Sequence, residues 1–203
     1  MARWQGLGST IANALFALAV LTVTGAGARA CEMSIAGKEL WLRGHIVSGD
    51  QIKFRELIDN AGPGRVASVH LDSPGGDIYS AGEIARLIRT AGLSTVVDAS
   101  RHMCASSCTI IFAGGVKRVY LHAERVGGLT TGRGFKGLGF HEGAYSGSVG
   151  PGSFSGEATA LMVALYQELG VPSAAELVDH APPYAIWGLS GQMAMELGIA
   201  TTR

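Results

Sequence analysis

The chain has 203 residues, close to half of them hydrophobic, which suits one domain with a substantial core. Its 16 Lys and Arg balance its 16 Asp and Glu, so no basic footprint argues for nucleic acid as a partner. Thirty glycines point to several tight loops.

Residues 1–30 read as a targeting segment. Arg3 supplies a positive start, Ile11 to Val23 an apolar run, and Ala28-Arg29-Ala30 a small-x-small cleavage site. The run is shorter than the ~20 residues a membrane span needs. The expectation is a signal peptide cleaved after Ala30, export to a periplasm or beyond, and no stable membrane span afterwards. An uncleaved anchor is the competing reading. Cys31 follows the site directly, as in lipoproteins, but Ala28 and Arg29 fit such a signal poorly. Residues 31–203 then form one domain.

Past the signal, Lys38 to Val47 alternates as a strand. Ser48 to Gln51 has the form of a capping box, and Ile52 to Ala61 continues as an amphipathic helix ended by Gly62-Pro63-Gly64. Val66 to Leu71 is a buried strand and Ile78 to Thr90 a helix. Leu93 to Val97 and Val116 to His122 are further strands. Strands alternating with helices imply right-handed crossovers and a mostly parallel sheet, an α/β fold. Gly127 to Gly137 is a glycine-rich excursion, after which Leu138 to His141 resumes a strand. Glu142 to Gly156, rich in Gly and Ser, reads as a flexible loop. Helices are expected over Glu157 to Leu169, Ser173 to His180 and from Leu189-Ser190 to Leu197.

Two stretches carry candidate chemistry. Cys104-Ala-Ser-Ser-Cys-Thr-Ile-Ile-Phe-Ala-Gly-Gly115 places hydroxyls where a strand must turn into an apolar helix. A serine on such a turn is exposed, and the first helical N–H groups beside it have no internal partner, so they can stabilise an oxyanion. Val69 to Asp77 ends a strand in Ser73-Pro74-Gly75-Gly76, whose N–H groups could face the helix start at Ser107. The plainer reading of both is small-residue turns packed close to other elements. Asp72 and Asp77 read as a strand-end charge and a helix cap.

Ser73-Pro-Gly-Gly, then Ser80-Ala-Gly82, then Ala105-Ser106 leading to Ala113-Gly-Gly115, together resemble the proteolytic subunit of Clp protease and its relatives. The likeness covers roughly Glu39 to Thr201. It implies a Clp/crotonase-like spiral of βαβ units and a serine peptidase-like activity on peptide or other acyl bonds. The Cys-Ala-Ser-Ser-Cys variant behind a signal sequence looks like a secreted, uncharacterised branch of that family. By this resemblance Ser106 is the nucleophile, with Ser107 as the other candidate. Gly76 and Ser107 supply oxyanion donors, with Gly75 as neighbour.

A serine needs a base, and three imidazoles flank it: His102, His122 and His141. The resemblance favours His141, at a strand end before a loop, with His122 as fallback. The family's carboxylate position falls near Pro182; Asp179 lies a few residues earlier. It is the candidate third member, or else a solvated helix end, and a Ser–His dyad needs no third member. The cysteines are also open. Cys104 and Cys108 are spaced for a bridge across a turn, but both could be buried and free, or either could pair with Cys31. No metal-ligand spacing is evident, and no cofactor is expected. The expected partner is a peptide or unfolded polypeptide. A homo-oligomer is open, but the Gly/Ser loop is a poor strand former, so a double ring is not expected. Two other classes compete: a catalytically inactive binding or assembly protein, and an acyl-CoA crotonase-like enzyme.

Overall fold

The computed structural model describes residues 1, 31–145 and 152–203. The expected signal peptide, but for Met1, and the middle of the Gly/Ser loop lie outside the described residues. In chain order the first half runs β1 (Glu32–Ala36), β2 (Glu39–Arg43), α1 (Asp50–Ala61), β3 (Ser68–Asp72), α2 (Ile78–Thr90), β4 (Ser94–Asp98), β5 (Met103–Ala105) and α3 (Ser107–Ala113). Then come β6 (Arg118–Leu121), β7 (Gly128–Thr130), β8 (Gly137–Phe140), α4 (Gly156–Glu168), α5 (Pro172–Ala175), β9 (Ile186–Leu189) and α6 (Gly191–Glu196), with a 3-10 turn at Val178–His180.

Two sheets result. The larger has the order β1-β2-β3-β4-β6 and is parallel from β2 onward, as the alternation of strands and helices requires. Alternate residues of its strands, Leu40, Leu42, Val69, Leu71 and Val97, are buried. They share one core with Ile84 and Ile88 of α2 and with Ile110 and Phe112 of α3. Each such side chain contributes roughly 1.5–3 kcal/mol by leaving water. The smaller sheet has the order β5-β8-β9-β7; β5 and β8 are parallel, the other pairings antiparallel. Tyr120 ties the two sheets together: its hydroxyl donates to Leu189 O at 2.8 Å and accepts from Leu138 N at 2.9 Å.

Several expectations are refined. β1 adds an antiparallel strand ahead of the first expected one. The capping box at Ser48 does not form; Gly49 is the N-cap, and Gln51 Oε1 accepts the Gly49 N–H at 3.1 Å. Leu189 ends a strand instead of starting a helix, and Ser190 caps α6 by accepting Met193 N at 3.2 Å. The excursion 127–137 is a working part of the smaller sheet. It supplies β7, and its Phe135 lies over the glycines of β8 and β9: a Cβ on Gly139 would stand 2.7 Å from the ring, one on Gly188 3.0 Å. The described ends of the Gly/Ser loop pair in a short antiparallel bridge, Ala144 with Phe154. No helix among the described residues is long and apolar enough to cross a membrane.

Candidate active site

Backbone pairing brings the two motifs together. Past the end of β3, Ser73 N donates to Met103 O at 2.7 Å, and Ala105 N donates back to Ser73 O at 3.1 Å. The Pro74–Gly76 loop therefore lies against the turn from β5 into α3. Ile46 N donates to Gly75 O and Asp77 N to Ile46 O, both at 2.9 Å, so the loop is held from its other side as well.

Ser106 stands at that turn with φ 55°, a left-handed value that non-glycine residues seldom adopt. Three contacts hold it there. Its N–H donates to Gly139 O at 2.9 Å. Its carbonyl accepts from Thr109 Oγ1 at 2.5 Å, and Tyr166 OH lies 2.5 Å from the same Thr109 oxygen. The sulfurs of Cys104 and Cys108 lie at bonding distance, 2.10 Å, with 5.2 Å between their Cα atoms, so the link spans the turn on either side of Ser106. Cys31 is buried and unpaired.

Ser106 lines a cavity of about 510 Å³ together with His141 and Gly76. Ser107 is fully buried, so of the two candidate hydroxyls only that of Ser106 faces this space. A larger hollow of about 680 Å³ lies between the end of α1 and the start of β4, but among the described residues no serine, cysteine or histidine lines it. Within the described residues, neither the Gly76 nor the Ser107 N–H has a hydrogen-bond partner.

His141 reaches the cavity because β5 and β8 pair in register: Ala105 opposes Gly139, and His141 follows two residues on. Its Nδ1 lies 2.6 Å from Glu142 O. With Nδ1–H donating to that carbonyl, Nε2 is the free acceptor. Burial pushes the imidazole below its ordinary value of 6.5, against a smaller upward pull from Glu142. Ser106 and His141 share the cavity without a hydrogen bond between them, as is common in unliganded sites.

The remaining candidates lie apart. Asp179 is exposed on the 3-10 turn and makes no hydrogen bond or ion pair with His141 among the described residues. The partner of Nδ1 is instead the Glu142 carbonyl, and Glu142 N itself donates to Ala181 O at 2.9 Å. His102 faces Asp72 Oδ2 at 3.1 Å, off hydrogen-bond alignment, beside Trp41. His122 bonds Asp98 at 2.9 Å and lines a different hollow. Asp77 caps α2, accepting Ser80 N at 2.8 Å. One residue that motif reading missed also lines the Ser106 cavity: His45, on the segment between β2 and α1. No spacing signal marks it, since it arrives through the pairing of that segment with the Gly75–Asp77 loop.

No family model matches the sequence, and no curated protein matches it. Solved structures do. An alanine-substituted form of the 1510-N membrane-bound stomatin-specific protease shares 16% identity over 83% of this chain and 80% of its own, with a TM-score of 0.52. A second form of it, in complex with a substrate peptide, shares 16% identity over 83% of this chain and 76% of its own, again with a TM-score of 0.52. A ClpP1 variant from Listeria monocytogenes shares 13% identity over 81% of this chain and 90% of its own, with a TM-score of 0.49. At these identities the likeness is one of fold.

Proposed function

We propose that this chain, which has the α/β fold of the Clp/crotonase type, is a serine peptidase-like hydrolase. The observation that carries the reading is the convergence of Ser106, His141 and Gly76 on one cavity. Ser106 Oγ attacks the acyl carbonyl carbon, and its proton passes to His141 Nε2 after a side-chain rotation closes the gap. The carbonyl oxygen, now negative, accepts hydrogen bonds from the Gly76 and Ser107 N–H groups, which have no other partner within the described residues. His141 then returns the proton to the leaving group. Water repeats the sequence to release the acid and regenerate Ser106. The Glu142 carbonyl holds the ring in the working tautomer, so the site runs as a dyad with a main-chain orienting group. Strand addition beside the loop after Ser73 would present an extended peptide to the site.

The reading includes export. It rests on the Arg3, Ile11–Val23 and Ala28–Ala30 pattern, and a Cys104–Cys108 disulfide suits an oxidising compartment.

The test is labelling by a fluorophosphonate probe. Wild-type protein should be labelled, and Ser106→Ala and His141→Ala should lose the signal while keeping their melting temperature. Labelling that persists in Ser106→Ala, or its absence from wild type, leaves a binding protein on a hydrolase fold.

A further inference from the structure

The chain has six histidines, and five of them are engaged. His70 Nε2 lies 3.2 Å from Ser68 Oγ, His122 bonds Asp98 and His141 bonds the Glu142 carbonyl. His102 faces Asp72, and His180 packs edge-on against Trp187. His45 differs: it has no hydrogen bond, ion pair or ring contact among the described residues. It is half-buried and lines the same cavity as Ser106 and His141.

Its place there is well defined. The backbone on its C-terminal side is pinned to the oxyanion loop by the two hydrogen bonds of Ile46. A Cβ on Gly76 would stand 3.1 Å from His45 Cε1, so the ring lies directly beside the glycine whose N–H faces the reacting carbonyl in the mechanism above. Both ring nitrogens are unpaired and accessible, so a group that enters the cavity can hydrogen-bond them without breaking a bond inside the protein. Among the described residues no Lys or Arg lines the cavity, and the one acid that does, Asp77, spends an oxygen on capping α2. Hydrogen bonding is therefore the chemistry on offer, not anion pairing. A neutral imidazole presents one donor and one acceptor, the complement of a peptide unit's C=O and N–H.

We propose that His45 is a substrate-binding residue whose imidazole hydrogen-bonds the main-chain amide adjoining the scissile bond. The site thereby favours peptides over small acyl esters, which offer no such amide. The proposal rests on the hydrolase reading for its kinetics, but not for its binding arm.

The experiment compares wild type, His45→Phe and His45→Gln on a fluorescence-quenched octapeptide with apolar residues flanking the cleaved bond and on p-nitrophenyl acetate. His45→Phe should lose about tenfold of kcat/KM on the peptide relative to its change on the ester, the scale of one hydrogen bond. His45→Gln, which keeps a donor and an acceptor, should recover most of that loss. Equal factors on both substrates, or no loss on the peptide, overturn the proposal. The same octapeptide is titrated calorimetrically into Ser106→Ala protein with and without His45→Phe. His45→Phe should weaken Kd about tenfold; an unchanged Kd, or no peptide binding at all, overturns it. If wild type turns over neither substrate, the hydrolase reading fails while the titration still decides the role of His45.

Discussion

A Cβ atom placed on Gly75 would stand 2.7 Å from the Cβ of Ser106, closer than two such atoms can pack. The same atom would meet Ala105 O at 2.6 Å and Ser107 N at 2.9 Å. Gly75 also has φ 95°, where a side chain is strained whatever the space. Gly75→Ala should thus push the loop off the Ser106 turn, at a cost of about 1–3 kcal/mol. Fluorophosphonate labelling should fall well below that of wild type while circular dichroism still reports a folded protein. Labelling at the wild-type rate would show that the close approach has no bearing on the site.

The pH dependence follows from His141. Burial favours the neutral ring, so its folded value lies below 6.5. On the proposed mechanism the neutral ring is then available at pH 6.5 and above, and the acid limb of Ser106-dependent labelling should have its midpoint below that value. For stability the sign is the same: below pH 6.5 the unfolded chain binds a proton that the folded chain resists, so stability falls as the pH drops through that window. His141→Gln should remove part of that slope in urea midpoints measured from pH 7 down to pH 5. A labelling midpoint above 6.5 would contradict the burial argument.

The cysteine link can be counted directly. Alkylation of denatured, unreduced protein should mark only Cys31, and all three cysteines should react after reduction. In native protein none should react readily, since burial pushes the Cys31 thiol up to about 12. The Cys104→Ala, Cys108→Ala double variant should lose about 2 kcal/mol, the loop-closure scale for so short a loop. A melting temperature unchanged from wild type would mean that the link adds nothing to the turn.

The Ser106 carbonyl is held through a relay. Thr109 Oγ1 gives its proton to that carbonyl, so Tyr166 OH is the donor to Thr109. Burial raises the Tyr166 hydroxyl, which keeps that proton in place. Tyr166→Phe should cost about 1 kcal/mol and Thr109→Val about 1–3 kcal/mol, because the second leaves the buried phenol unpaired and the Ser106 carbonyl with only the Thr109 N–H, 2.9 Å away. Urea unfolding of the two variants checks the order; a larger loss in Tyr166→Phe would refute the relay.

Much of the larger sheet is legible in the residues. Ile78–Thr90 is bounded as its apolar spacing predicts, and the parallel order of β2, β3, β4 and β6 follows from strand–helix alternation. The smaller sheet is harder to read. β7 and β9 are short and glycine-bearing; Gly188 of β9 leaves room for the Phe135 ring, and β7 joins the sheet only through β9. The partner of His141 Nδ1 is a main-chain carbonyl, that of Glu142, and no side-chain pattern can announce one.

By itself the chain determined the span of α2 and put Ser106, Gly75 and Gly76 on turns, because those depend on neighbours a few residues apart. Tertiary structure decided which imidazoles share a cavity with Ser106. That choice is made by strand register: Ala105 opposite Gly139 carries His141 in, and Ile46 beside Gly76 carries in His45. Hydrogen bonds between segments tens of residues apart set such pairings, and local sequence holds no record of them.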